Sequence, residues 1–282
     1  MIKMKLKRSE RLVDMMATLL QRPYTPFNLT HFTEKYKSAK SSISEDLTII
    51  KEVMDYQGTG QIRTYPGASG GVEYIPSLSK ELQIEYIEEL ARLVNHPDRI
   101  LPGGYLYLTD LLGTPEVLKK MGKIIASRCV DLGVDYVLTI ATKGIPIAQA
   151  AAYELNKPMI IARKDSKVSE GSAISVKYTS ASASRLVQSM EIGRNSMEEN
   201  SRVILVDDFY RGGGTMSGME ALIDIFDSTV VGKFVFCENI KESPADKNDI
   251  QSILSIKGLD HDTDSFEAQI GSIMDTHQQS IL

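Results

Sequence analysis

Two adjacent carboxylates, Asp207 and Asp208, are followed by three successive glycines and a threonine, Gly212, Gly213, Gly214 and Thr215, in the segment VILVDDFYRGGGT that spans 203–215. Glycine-lined backbone N–H groups can close round an anion, and a helix opening directly behind them adds the positive end of its dipole. Thr215 can donate its hydroxyl to the same oxygens. Asp207 and Asp208 cannot face that phosphate directly, because like charges repel. They suit hydrogen bonds from sugar hydroxyls, or a Mg²⁺ ion shared with phosphate oxygens. Phosphate and polyol side by side make a sugar phosphate. The segment lacks the Gly-Lys-Ser/Thr ending of a P-loop and does not fit Gly-x-Gly-x-x-Gly. An ordinary strand-to-helix turn is the bland alternative.

A second loop, Thr142, Lys143 and Gly144, follows an earlier apolar run and precedes a helical pattern, which makes another anion site with Lys143 as a point charge. Together the loops can hold the two ends of a polyphosphorylated ligand. Between them, residues 165–185 carry seven serines and read as a mobile hairpin or lid, or as a disordered insertion.

These residues need a scaffold that brings distant turns together. Runs at 136–140, 159–162, 203–206 and 230–236 read as strands; 80–95, 116–130, 145–155 and 215–226 read as helices. Alternation of this kind predicts an α/β domain with a mostly parallel sheet, which binds ligands at the carboxyl ends of its strands. Cys129 reads as core. With Cys237 as the only other cysteine, neither a disulfide framework nor a zinc knuckle is available. His31, His96, His261 and His277 are scattered and read as surface or packing residues.

The first 76 residues follow a different pattern. Leu12, Met16 and Leu19 place one helix over 8–20, Asn28 can cap a second, and Ile43, Leu47, Ile50 and Met54 form the apolar face of a third. Ser42 and Glu45 fit a capping box at the start of that third helix. Runs at 61–65 and 72–75 around a Gly-rich tip predict a hairpin. Three helices and a hairpin, with a short turn before the third helix, match a winged-helix (α+β) unit that binds DNA. A three-helix packing domain with an incidental hairpin, or a protein-interaction module, would share the pattern. Lys40, Lys5 and Arg8 can reach phosphates, and Ser41, Ser42, Ser44 and Thr48 allow close approach to base edges.

Charge follows the same division. Residues 1–76 hold 11 Lys and Arg against 8 Asp and Glu, and residues 1–40 hold 9 against 3, although the whole chain carries −5. A basic module joined to an acidic body fits a polyanion partner for the first segment alone. No apolar run approaches the ~20 residues of a membrane span. A secretory h-region is absent too, so the compartment is expected to be cytoplasmic.

The Asp207-Asp208 pair with Gly213, Gly214 and Thr215 resembles the phosphoribosyl pyrophosphate (PRPP) motif of type I phosphoribosyltransferases, and Thr142, Lys143 and Gly144 look like that family's pyrophosphate loop. Together with SAKSSISEDLTII at 38–50, the Gly70-Gly71 pair, LPGGYLYLTD at 101–110 and ATKGIP at 141–146, the chain resembles the Gram-positive purine operon repressors. That resemblance covers roughly residues 5–240. It implies a winged-helix domain over 1–76 and a phosphoribosyltransferase-fold effector domain over 77–282. It also implies a homodimer acting on double-stranded DNA upstream of purine genes, with PRPP, with or without Mg²⁺, as effector and transfer chemistry lost. Phe209, Tyr210, Arg211 and Gly212 complete the implied PRPP motif, where Arg211-Gly212 stands in place of Lys-Ala; Tyr105 lies in the implied ligand-facing stretch. An active purine phosphoribosyltransferase with an accessory domain, or an activator of the same genes, is the other reading. No function is carried onto the tail after about 241.

Overall fold

The computed structural model describes residues 6–67, 70–102, 104–164, 172–179, 187–240, 249–259 and 265–275. The chain divides into two compact units, residues 1–82 with 154–156, and residues 83–153 with 157–282.

The first unit contains α1 (Arg8–Leu20), β1 (Phe27–Asn28), α2 (Leu29–Tyr36), α3 (Lys40–Gln57), β2 (Gln61–Thr64) and β3 (Gly71–Ile75). Asn28 caps α2 as expected, accepting from the His31 N–H at 2.8 Å. β2 and β3 form the antiparallel hairpin, and β1 pairs with β3 to make a three-stranded sheet in the order β1-β3-β2. Met15, Leu19, Phe32, Ile43, Leu47, Ile50, Met54, Ile62 and Val72 make one core, so the apolar stripes of all three helices converge on the sheet. The order of three helices and hairpin is the one expected, with a short third strand added.

The capping box is not formed. α3 begins at Lys40 with Ala39 in the N-cap position and no side-chain cap. Ser42 therefore lies inside the first turn, and Glu45 is a full turn into the helix. The physical reason is an ion pair. Asp46 is wholly buried and accepts from Arg8 Nε at 2.9 Å and Arg11 Nε at 2.5 Å, while Arg11 Nη1 donates to Ser38 Oγ at 3.1 Å. Tertiary bonds that fix α3 against α1 outweigh a local cap worth about 1 kcal/mol.

The second unit runs through α4 (Lys80–Val94), β4 (Ile100–Leu101), β5 (Tyr105–Leu106), α5 (Thr109–Leu112), α6 (Pro115–Arg128), β6 (Tyr136–Ile140), α7 (Ile145–Leu155), β7 (Met159–Ala162), β8 (Ala173–Thr179), β9 (Val187–Gly193), β10 (Arg202–Tyr210), α8 (Gly214–Asp224), β11 (Thr229–Asn239), β12 (Ile250–Lys257) and β13 (Glu267–Ile270). Six strands form a sheet in the order β13-β12-β11-β10-β6-β7, parallel except for the β12-β13 pair. Val203, Ile204, Leu205 and Val206 are all buried, as a central parallel strand covered on both faces requires.

Two features differ from the sequence reading, and a third matches it in part. β10 does not end at Val206 but carries Asp207 and Asp208 within the strand, because β11 continues to pair with it through Tyr210 and Glu238. The serine-rich stretch, expected as a hairpin, supplies one arm of one, β8, paired antiparallel with β9, while 165–171 and 180–186 lie outside the described residues. The tail beyond 241 supplies β12 and β13. Asn95 binds β13 as a strand would, donating to the Ala268 carbonyl at 2.9 Å and accepting its N–H at 2.7 Å. Among the described residues no helix is long and apolar enough to cross a membrane.

Candidate ligand site and nucleic-acid interface

β6 and β10 are parallel neighbours, so the turns that follow them open at one edge of the sheet. The turn after β6 holds Thr142, Lys143 and Gly144 and leads into α7. The turn after β10 holds Arg211, Gly212 and Gly213 and leads into α8. The Thr142 hydroxyl donates to Asp207 Oδ1 at 3.4 Å, and the Asp208 N–H donates to the same oxygen at 2.9 Å. A side chain on Gly144 would place its Cβ 2.8 Å from Thr139 Oγ1 and 2.9 Å from Asp207 Oδ1, so only glycine lets the two turns approach this closely. Gly213 caps α8 with φ +79°, a left-handed conformation that L side chains rarely adopt, and provides no side-chain cap for the first N–H groups of α8, which have no partner within the helix.

Asp207 is 5% exposed, whereas Asp208 is half-buried. Burial, and then the neighbouring Asp208 charge, push the Asp207 carboxyl well above the usual carboxylate range. Hydroxyl donors or a cation beside these oxygens would favour the ionised form. Phe209 is half-buried, and the buried Tyr210 hydroxyl is raised by desolvation first. Thr215 lies in the first turn of α8 and Lys143 is exposed beside Gly144.

Tyr105 joins the same edge. Its ring, 56% exposed, lies 5.4 Å under the Arg211 guanidinium. Arg99 positions the short hairpin that carries it: Nε donates to the Leu93 carbonyl and Nη1 to the Tyr107 carbonyl, each at 2.8 Å, and both Nη atoms bind the Asp110 carboxylate at 2.7 and 2.9 Å. The Arg99 guanidinium holds the Asp110 carboxyl below the usual range. Sequence spacing gives no signal for Arg99, whose bonds reach across a loop. Also missed are Arg163 and Lys164, which follow β7 directly beside the Thr142 turn. Two cations at the carboxyl end of an apolar strand are the signal that could have found them.

Cys129 and Cys237 are fully buried and their thiols are pushed up by desolvation, so neither is a nucleophile. His31 packs against the Phe27 and Phe32 rings, and His96 pairs with Asp98. His261 and His277 lie outside the described residues.

In the first unit, three residues separate α2 from α3, which is helix-turn-helix spacing. Lys40, Ser41, Ser44 and Thr48 are exposed on one side of α3, opposite the buried Ile43, Leu47 and Ile50; Ser42 is half-buried. Arg8 is half exposed but spends its guanidinium on Asp46 and Glu45. Lys5 lies outside the described residues.

Residues 7–76 match the family described as bacterial purine repressor, N-terminal, and residues 108–272 match the phosphoribosyl transferase domain. The chain is 45% identical over 281 residues to the purine biosynthesis transcriptional repressor PurR of Bacillus subtilis, spanning 99% of this chain and 98% of that protein. It is 44% identical to the purine biosynthesis transcriptional activator PurR of Lactococcus lactis, over 95% and 98% of the two chains. The adenine phosphoribosyltransferase of Thermoanaerobacter pseudethanolicus superposes on 60% of this chain and 99% of its own with a TM-score of 0.53 at 20% identity, a likeness of fold. With both segments matched and close relatives aligned from end to end, the chain belongs to the bacterial purine repressor family, whose N-terminal domain here precedes a phosphoribosyltransferase-type α/β domain.

Proposed function

We propose that this protein is a DNA-binding regulator of purine biosynthesis genes, acting as a repressor, and that PRPP sets its affinity for double-stranded DNA. PRPP would occupy a phosphoribosyltransferase-type site that no longer transfers the ribosyl group. The observation that carries the reading is the gathering of Asp207, Asp208, the Gly212–Gly214 turn and the Thr142–Gly144 turn at one sheet edge, in a chain that also bears a helix-turn-helix unit. The names of relatives that match along their whole length support it.

In this reading the 5-phosphate meets the N–H groups that open α8, with Thr215 beside them. The ribose hydroxyls donate to Asp207 and Asp208. The pyrophosphate lies against Thr142, Lys143 and Gly144, with Arg163 and Lys164 just after the next strand. Tyr105 and Arg211 flank the entrance. Among the described residues no group of three or more His, Cys, Asp or Glu is placed to hold a metal. Mg²⁺ would therefore accompany the ligand's own phosphate oxygens, supplying charge neutralisation, rather than sit in a protein cage. A homodimer would present two α3 helices to a DNA site with matching two-fold symmetry.

PRPP regulates only through a difference in its affinity for the DNA-free and DNA-bound protein. The non-catalytic character is tested by incubating the protein with PRPP and each purine base. The expected outcome is no release of pyrophosphate. Rapid formation of nucleotide and pyrophosphate would make the protein a transferase with an accessory domain.

A further inference from the structure

On the outward side of α3, Ser41, Glu45 and Thr48 follow at spacings of four and three, so a carboxylate stands among short hydroxyls. Glu45 is released from any capping role, because α3 starts at Lys40, and its side chain is 68% exposed. Arg8 reaches it from α1: Nε is held by the buried Asp46 at 2.9 Å, and Nη2 lies 3.5 Å from Glu45 Oε2. Arg11 takes the other Asp46 oxygen. Two guanidiniums thus face two carboxylates, and the cluster carries no net charge. Glu45 Oε1 accepts no hydrogen bond among the described residues.

A carboxylate on a face that meets DNA brings negative charge toward the phosphates, which the long 3.5 Å pair with Arg8 offsets only in part, and weakens binding. It becomes favourable when a base edge offers it a donor. In the major groove the cytosine N4 amino group is such a donor. Guanine presents acceptors there, thymine an acceptor and a methyl group, and the adenine N6 amino group lies beside the N7 acceptor. We propose that Glu45, oriented by Arg8, is a specificity-determining residue that reads a cytosine in the major groove of the control DNA. This rests on the DNA-binding function proposed above. The short Ser41, Ser44 and Thr48 side chains let the helix come close enough for a glutamate to reach the base.

The test uses the full chain and a series of duplexes carrying every single base-pair substitution across the protected purine-gene site. For the wild-type chain, replacing one C·G pair lowers affinity by on the order of tenfold. In E45A that penalty disappears while penalties at other positions persist, and affinity for non-specific DNA is unchanged or higher. In E45Q the preference at that pair moves from cytosine toward adenine, whose N6 and N7 match a carboxamide. Glutamine keeps the shape of the side chain, so thermal unfolding of E45Q should match the wild type. Unaltered base preferences in both variants, or an equal change of affinity for all sequences, would overturn the assignment alone. Failure of the wild-type chain to bind any of these duplexes sequence-specifically would remove the DNA function and this proposal with it.

Discussion

The Asp207 carboxyl is held at a cost that ligand binding can offset. It is buried beside a second acid, so in the free protein its proton is retained to a higher pH than in the unfolded chain. The sign of the linkage follows: the stability this group contributes is complete below its unfolded pKa and is lost as pH rises through the raised folded value. Asp207→Asn removes the penalty. The variant should melt higher than the wild type at pH 8, with the gain shrinking toward pH 4, as thermal unfolding across that range will show. The same substitution should abolish the response to PRPP, the familiar exchange of stability against function. Lys40 answers to a different test. It is exposed at the first position of α3. Lys40→Ala should weaken DNA binding for all sequences alike and lower the slope of log K against log salt by about 1. An unchanged slope in a salt titration would take Lys40 out of the interface.

At the level of elements, the ion-pair cluster of Asp46 with Arg8 and Arg11 sets the placement of α3, because Arg11 also grips Ser38 in the turn that precedes it. Asp46→Ala leaves a nearly buried Arg11 without its carboxylate. The loss should be about 3 kcal/mol, at the low end for a broken buried pair because Arg8 is half exposed, and urea unfolding of the full chain will measure it. The helices were legible because their stripes repeat at 3 and 4: α1 and α7 occupy the spans that periodicity predicts. The strands were legible where they are apolar throughout, as in β6 and β7. β10 was read short because two acids look like the start of a loop, and only its pairing with β11 keeps them in the strand. β8 is legible only as one arm of a hairpin without bounds, because its polar alternation sits in a serine-rich stretch. The start of α3 was misread because a local capping pattern was weighed without the buried Asp46, which no spacing reveals. Of the candidate site, the two turns are legible from glycines next to acids or lysine; Arg163 and Lys164 carry only the weaker signal of cations ending an apolar strand, and Arg99 carries none, since its bonds exist only once the loop has folded.

For the whole molecule, a net charge of −5 describes neither part. The first forty residues are basic and suit a polyanion, while the α/β unit is acidic yet, in the proposed reading, offers local N–H groups and a few cations to a sugar polyphosphate. A relative named a repressor and another named an activator share the same overall chain at nearly equal identity, so the sign of regulation is not set by the fold. In the proposed reading, coupling between DNA and PRPP unites the halves. The measurement that tests it most directly is a salt-titrated determination of full-chain affinity for upstream purine-gene DNA, with and without PRPP and Mg²⁺. PRPP should weaken DNA binding by about 5- to 150-fold, equivalent to 1–3 kcal/mol of coupling, and the Asp207→Asn and Asp208→Asn variants should bind DNA without that response. Identical DNA affinity in the presence and absence of saturating PRPP would contradict the account.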